Sequence, residues 1–298
     1  MLLGFTSAAW AGVWVRPGGE VYAQVGWTHQ QSSQIFDASG ALRPQTDPRY
    51  VGSLSEVFSA GRYRADELST WVELGLGHGF ELFGSLPLRH AATTWTFTRG
   101  SDTLTQPNTG FGDASAGARF GGTRGPFAGS IAAAVRAPLY DNAPEALGLE
   151  AENLDFYDDQ VPLGPGTIDV DLSVAGGYGA QLGWAQLELG ARARDRGYSE
   201  ALTGRLQLGA KPAPAVAGWV GLAGVASLGN GRAPDRFVDR WGRGPPAIDA
   251  QSWLEGSIGA SWTAVGGFGP LAGITRTLTG ARFPAVTTTF VGVSWTAR

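Results

Sequence analysis

The sequence contains no cysteine, one lysine (Lys211), one methionine and three histidines in 298 residues. Without thiols there is no disulfide framework, no thiolate zinc site and no cysteine nucleophile, and the chain suits an oxidising compartment in which free thiols are a liability. Charge is also scarce: 16% of residues are Asp, Glu, Lys or Arg, against about 25% in an ordinary soluble domain. The balance, 22 basic against 26 acidic side chains for a net charge of −4, argues against a nucleic-acid partner. Long apolar helices are missing as well. Residues 212–231 and 256–275 each run 20 residues without a charge, long enough for a membrane helix. The first, however, holds Pro212, Pro214 and five glycines, and the second is broken by Gly266-Gly267-Phe268-Gly269-Pro270, which is turn chemistry.

Glycine, at 46 residues, and 17 prolines leave few segments able to run as helices, so an all-α fold is excluded. Eleven Trp, 14 Phe and 7 Tyr in a chain of mean hydropathy −0.06 need an amphipathic setting. Residues 1–11, MLLGFTSAAWA, are apolar and end in Ala9-Trp10-Ala11, the small-residue pattern of a secretory cleavage site. They read as the remnant of a signal peptide, with the folded domain at 12–298.

The dominant pattern is period-two alternation, the mark of strands with unlike faces. In 185–194, Ala185, Leu187, Leu189, Ala191 and Ala193 alternate with Gln186, Glu188, Gly190, Arg192 and Arg194. The same pattern sets Ile168, Val170, Leu172 and Val174 against Asp169, Asp171 and Ser173, and Leu68, Val72 and Leu74 against Ser69, Trp71 and Glu73. It sets Phe80, Leu82 and Leu88 against Glu81, Ser85 and Arg89. Segments 127–138, 217–229 and 269–278 alternate poorly and do not declare their faces. Connections alternate in length: short near 77–79, 121–126, 179–183, 211–216 and 264–267, longer near 31–64, 99–110, 139–166, 195–199, 230–251 and 279–285. Eleven connections predict twelve strands with both termini on the short-turn side, an even-numbered antiparallel barrel of the outer-membrane kind. A soluble β-sandwich also alternates, but its polar face would carry more than one lysine. Trp27, Phe80, Tyr178, Trp184, Trp262 and Trp295 fall near strand ends, where an interfacial girdle would place them.

Catalytic chemistry finds little support. His29, His78 and His90 show no metal-ligand spacing, no G-x-S-x-G elbow occurs, and the G-x-G-x-x-A matches at 242–247 and 267–272 do not lie between a strand and a helix. Asp158-Asp159 reads as a solvated acid pair. No cofactor and no metal site are expected. If the apolar face meets lipid, the charged face lines a lumen, with pore-lining candidates Glu73, Asp113, Arg119, Asp169, Asp171, Glu188, Arg192, Arg194, Arg205 and Glu255, joined by Glu81 and Arg89. Such a set is either a structural ion-pair network or a solute-selecting lining. Phe36, Phe156, Tyr157, Phe237 and Trp241 are candidates for an extracellular entrance, or pack the loops.

With strands and turns placed, the chain resembles the bacterial outer-membrane family named for the MetA pathway of phenol degradation. The resemblance is carried by Glu67-Leu68-Ser69, Glu73-Leu74-Gly75-Leu76, Leu86-Pro87-Leu88, Gly110-Phe111-Gly112-Asp113, Ser227-Leu228-Gly229-Asn230-Gly231, Arg276-Thr277-Leu278 and Gly292-Val293-Ser294-Trp295. Chains of that family tend to end on an aromatic residue, whereas here Trp295 is followed by Thr296-Ala297-Arg298. The resemblance implies passive uptake of small hydrophobic or aromatic compounds. The expectation is therefore an all-β, twelve-stranded barrel in the outer membrane of a Gram-negative bacterium, not an enzyme. Its expected partners are outer-membrane lipid and lipopolysaccharide, the barrel-insertion machinery and a small-molecule solute, with no nucleic acid. The rival readings are a lumen-plugged structural or adhesive barrel and a barrel hydrolase.

Overall fold

The computed structural model describes residues 12–46, 58–141, 160–231, 250–263 and 267–297. Its strands are β1 (Val21–Ser32), β2 (Gln34–Phe36), β3 (Leu42–Pro44), β4 (Phe58–Gly77), β5 (Phe80–Phe97), β6 (Thr103–Phe111), β7 (Asp113–Arg124) and β8 (Phe127–Pro138). They continue as β9 (Asp169–Ala180), β10 (Gly183–Arg194), β11 (Ala201–Ala213), β12 (Val216–Ser227), β13 (Ser252–Trp262), β14 (Phe268–Ala281), β15 (Phe283–Pro284) and β16 (Thr287–Ala297). β6 and β7 run end to end as one barrel strand against β5. With that count, twelve antiparallel strands close into a ring when β16 pairs with β1. A bilayer offers backbone groups no partners, so closure, which leaves no sheet edge, is the solution a membrane-spanning sheet must reach. β15, β2 and β3 form a separate small sheet on the long-loop side.

The break between β6 and β7 has a local cause. Pro87 on β5 has no N–H to give the ladder, and there Leu86 and Pro87 face three residues, Gly112 to Ala114, across a bulge. The N–H of Gly112 donates instead to the Pro87 carbonyl at 2.9 Å. The two-residue turn His78-Gly79 between β4 and β5 holds both residues at positive φ (52° and 80°), the twist-matched geometry of such a hairpin.

The outer face is apolar. Leu68, Val72, Leu82, Leu172, Leu187, Leu189 and Ile258 all point away from the lumen and are exposed, as the alternation predicted. The three poorly patterned strands also resolve. Phe127, Ile131 and Val135 on β8, Val220 and Leu222 on β12, and Phe268, Ile274 and Leu278 on β14 face outward, while Trp219 and Leu271 face inward. Two expected loops are shorter than the sequence suggested. β4 begins at Phe58 and β6 at Thr103, so parts of 31–64 and 99–110 are paired strand. There the hairpins rise past the lipid, and an outer face that meets water carries no apolar alternation to read. Trp27, Phe80, Tyr178, Trp262 and Trp295 are exposed on the outer face, but Trp184 is not part of a girdle. It shares parity with Gln186 and Glu188, faces inward, and donates its indole N–H to Gln207 at 3.3 Å.

An inner aromatic row explains part of the glycine excess. Trp184, Gly209, Trp219, Gly259, Gly273 and Phe290 sit directly opposite one another from strand to strand. The rings lie flat over the glycines. A Cβ at Gly209 would stand 2.1 Å from the Trp184 ring, and one at Gly259 2.1 Å from the Trp219 ring, so no other residue fits without displacing an aromatic.

Candidate functional site

Strands β4, β5 and β7 to β13 surround a cavity of about 240 Å³ in the middle of the barrel. Two pieces of chain bound it. From the short-turn side, Pro17-Gly18-Gly19 reverses the chain ahead of β1 and returns residues 12–16 into the lumen, with Gly12 reaching the cavity wall. Arg16 secures this segment. Its Nε donates to Glu73 Oε2 at 2.8 Å, its Nη1 donates to Glu20 at 3.1 Å, and its backbone N–H donates to Glu81 Oε2 at 2.8 Å. The guanidinium also lies 4.5 Å over the Tyr22 ring, and Val13 is fully buried. Gly75 makes room for the reversal, since a Cβ there would be 2.0 Å from the Pro17 carbonyl oxygen.

From the long-loop side, residues 160–167 fold inward. Arg89 Nη1 donates to the Leu163 carbonyl at 2.8 Å, and Asn108 donates to the Val161 carbonyl at 2.9 Å. The Tyr140 hydroxyl donates to Asp113 at 2.6 Å while accepting the Gly166 N–H at 3.0 Å. Burial, and next the Asp113 carboxylate, push the Tyr140 hydroxyl well above its ordinary pKa, so it stays a donor.

Of the sequence candidates, Asp113, Arg119, Asp171, Glu188, Arg192, Arg205 and Glu255 line this chamber. Glu73, Asp169 and Arg194 face inward but do not line it. Glu73 is fully buried beneath Arg16, and Asp169, also fully buried, lies between Arg192 and Arg194. Glu67, Arg89 and Arg136 line the chamber too. Glu67 shares parity with Ser69, the signal that would have placed it. Arg136 lay on β8, where Ala132-Ala133-Ala134 blurs the alternation. The pairing is dense on one side of the ring. Arg89 Nε donates to Glu67 at 2.8 Å, Arg119 is paired with Glu81, and Arg192 Nε donates to Asp171 at 2.6 Å. Among the described residues five arginines and five carboxylates line the chamber, so their formal charges balance. Trp71 stacks on Phe83 at 5.5 Å on the β4–β5 wall.

Other expectations fall elsewhere. Phe36 is buried opposite Phe283 in the small sheet, so it packs a loop and lines no entrance. Phe156, Tyr157, Phe237, Trp241, Asp158, Asp159 and residues 1–11 lie outside the described residues. The histidines stay apart: His29 pairs with Asp66 at 2.9 Å, His90 bonds Thr109 at 2.6 Å, and His78 occupies a turn. Among the described residues no group of three or more His, Asp and Glu is placed to hold a metal ion.

No family model matches this sequence, and no curated protein matches it; the likeness to the MetA-pathway family rests on its short motifs alone. Among solved structures, the chain is similar to the COG4313 outer membrane channel from Pseudomonas putida F1, at 11% identity and TM-score 0.64 over 95% of this chain and 97% of that one. A FadL homologue from Pseudomonas aeruginosa matches at 9% identity and TM-score 0.42, over 93% of this chain and 89% of that one. A TodX monoaromatic hydrocarbon channel mutant matches at 7% and 0.44, over 94% and 91%. This chain is a bacterial outer-membrane β-barrel. Closure, the lipid-facing apolar belt and the shared fold of the first of these structures agree on that architecture, and at such identities they speak of fold alone.

Proposed function

We propose that the barrel is a channel for small molecules, hydrophobic and aromatic ones included. The observation that carries this reading is the central chamber, whose polar lining is balanced in charge and faces the Trp71–Phe83 stack. A purely structural barrel has no need of such a space. The COG4313 and TodX proteins, described as a channel and a hydrocarbon channel, are consistent with it. The Gly12–Glu20 segment favours a second reading, a plugged barrel without transport, because it fills the short-turn end.

Planar-bilayer recordings separate the two. Arg16→Gln removes the guanidinium that ties the segment to Glu73 on the barrel wall. Under the channel reading the variant, still heat-modifiable on SDS gels, conducts in larger steps than the parent protein. If neither protein conducts, the plugged barrel stands and the channel reading is wrong.

A further inference from the structure

Three lumen charges differ from the rest. Glu188 on β10 and Arg205 on β11 are directly opposite in register, and Ala223 and Glu255 continue the same row onto β12 and β13. All four line the chamber. Among the described residues no carboxylate comes within 4.0 Å of the Arg205 guanidinium, and neither Glu188 nor Glu255 has an ion pair within that distance. Charges withdrawn from bulk water are stable when something answers them, and here nothing within the row does so directly.

The geometry describes what would. Adjacent strands are about 4.8 Å apart, so Arg205 and Glu255 stand about two spacings apart with only the methyl of Ala223 between them. Glu188 and Arg205 face each other across a gap wider than an ion pair. A group seated here must accept from a guanidinium and donate to a carboxylate. A carboxylate solute can pair with Arg205 only against the flanking Glu188 and Glu255, an ammonium can pair with either glutamate only against Arg205, and a hydrocarbon leaves all three side chains without a partner. A hydroxyl does both tasks with one oxygen. Across the twelve-strand ring, β4 and β5 present the Trp71–Phe83 stack to the same chamber, an apolar platform for the body of the solute.

We infer that the Glu188–Arg205–Glu255 row is the polar subsite of the lumen and takes uncharged solutes in which an apolar or aromatic body carries a hydroxyl. This rests on the proposal that the chamber admits solutes.

The test is calorimetric titration of the full chain in nanodiscs, against empty nanodiscs, with benzyl alcohol, toluene, benzoate and benzylamine. The alcohol is expected to bind at least about tenfold more tightly than the other three, since a site built to bond a hydroxyl rejects analogues lacking it. Arg205→Met and Glu188→Gln should each reduce the alcohol to the affinity of toluene, and Arg205→Lys should restore part of the preference. Should Arg205→Met fail to fold, Glu188→Gln and Arg205→Lys carry the test. Toluene binding as tightly as the alcohol, benzoate or benzylamine binding more tightly, or an alcohol preference that survives in the folded variants would each overturn the assignment. Conductance keeps the two claims separable: a protein that conducts without the preference refutes the subsite and not the channel, and one that shows the preference without conducting refutes the channel and not the subsite.

Discussion

The two sides of the barrel wall solve the same electrostatic problem differently. From β4 to the upper part of β10, inward charges are joined strand to strand: Glu67 to Arg89, Glu81 to Arg119, and Asp171 to both Arg136 and Arg192. From Glu188 across β11 to β13 they face open space, and from β12 to β16 the inner face passes to Trp219, Leu271 and Phe290. The first side is a scaffold, because each ion is desolvated only where a partner replaces its water. The second side leaves its charges addressable. A lumen that was all scaffold would have nothing to offer a solute, and one that was all open would have little to hold its shape.

The sharpest break of this contrast is on the scaffold side. Arg89→Met strands Glu67, which is 2% exposed, and removing one partner of a buried pair costs about 3 to 5 kcal/mol. On the open side, Glu188→Gln removes a charge with no direct partner and should cost less than about 1 kcal/mol. Urea unfolding in lipid vesicles reads both; equal losses would erase the distinction. Next in size is the facing of the open wall. Leu187 lies on the lipid side of β10, 47% exposed beside Glu188, and an arginine near the bilayer midplane costs about 2 to 4 kcal/mol. Leu187→Arg should therefore destabilise more than Glu188→Gln in the same vesicles. The reverse order would mean that the strand is read one residue out of register.

The smallest effect lies outside the wall. Hydrogen bonds from the Ser39 hydroxyl, the Ala41 amide, Arg43 and the Ser39 amide hold the Asp37 carboxyl well below the usual carboxylate range. A carboxyl depressed on folding stabilises its loop fully above the ordinary value of about 3.9 and loses that contribution as pH falls below it. Amide-exchange protection at Ser39 and Ala41 should therefore hold near neutrality and decline below about pH 4. Protection that does not change with acidification would show that these bonds do not order the turn.

The strand count, the closure and the facing of the strongly alternating strands were legible because lipid on one side and a polar lumen on the other write a two-residue period into the chain. Where that asymmetry fades, so does legibility. β8 is alanine-rich, β14 turns Leu271 inward, and the tips of β4 and β6 stand in water. The candidate site was readable as a list of inward charges but not as pairs, because Arg192 reaching both Asp169 and Asp171 depends on neighbouring strands rather than on spacing along one. The inward return of residues 12–16 had a sequence sign in Pro17-Gly18-Gly19, a turn signal ahead of the first strand. What Arg16 meets there depends on Glu73 and Glu81, more than fifty residues away in the chain.

The seam between β1 and β16 bears on assembly. Val21 pairs with Ala297 and Gln31 with Thr287, so the ring is completed by contacts that span nearly the whole chain. Such contacts are slow to form, because the loop they close is long and its entropy is lost before pairing compensates. Until they form, β1 and β16 each present an unsatisfied edge. A barrel that has made its other pairings and not this one is an open sheet. Any factor that chaperones it has to shield two edges at once and release them together.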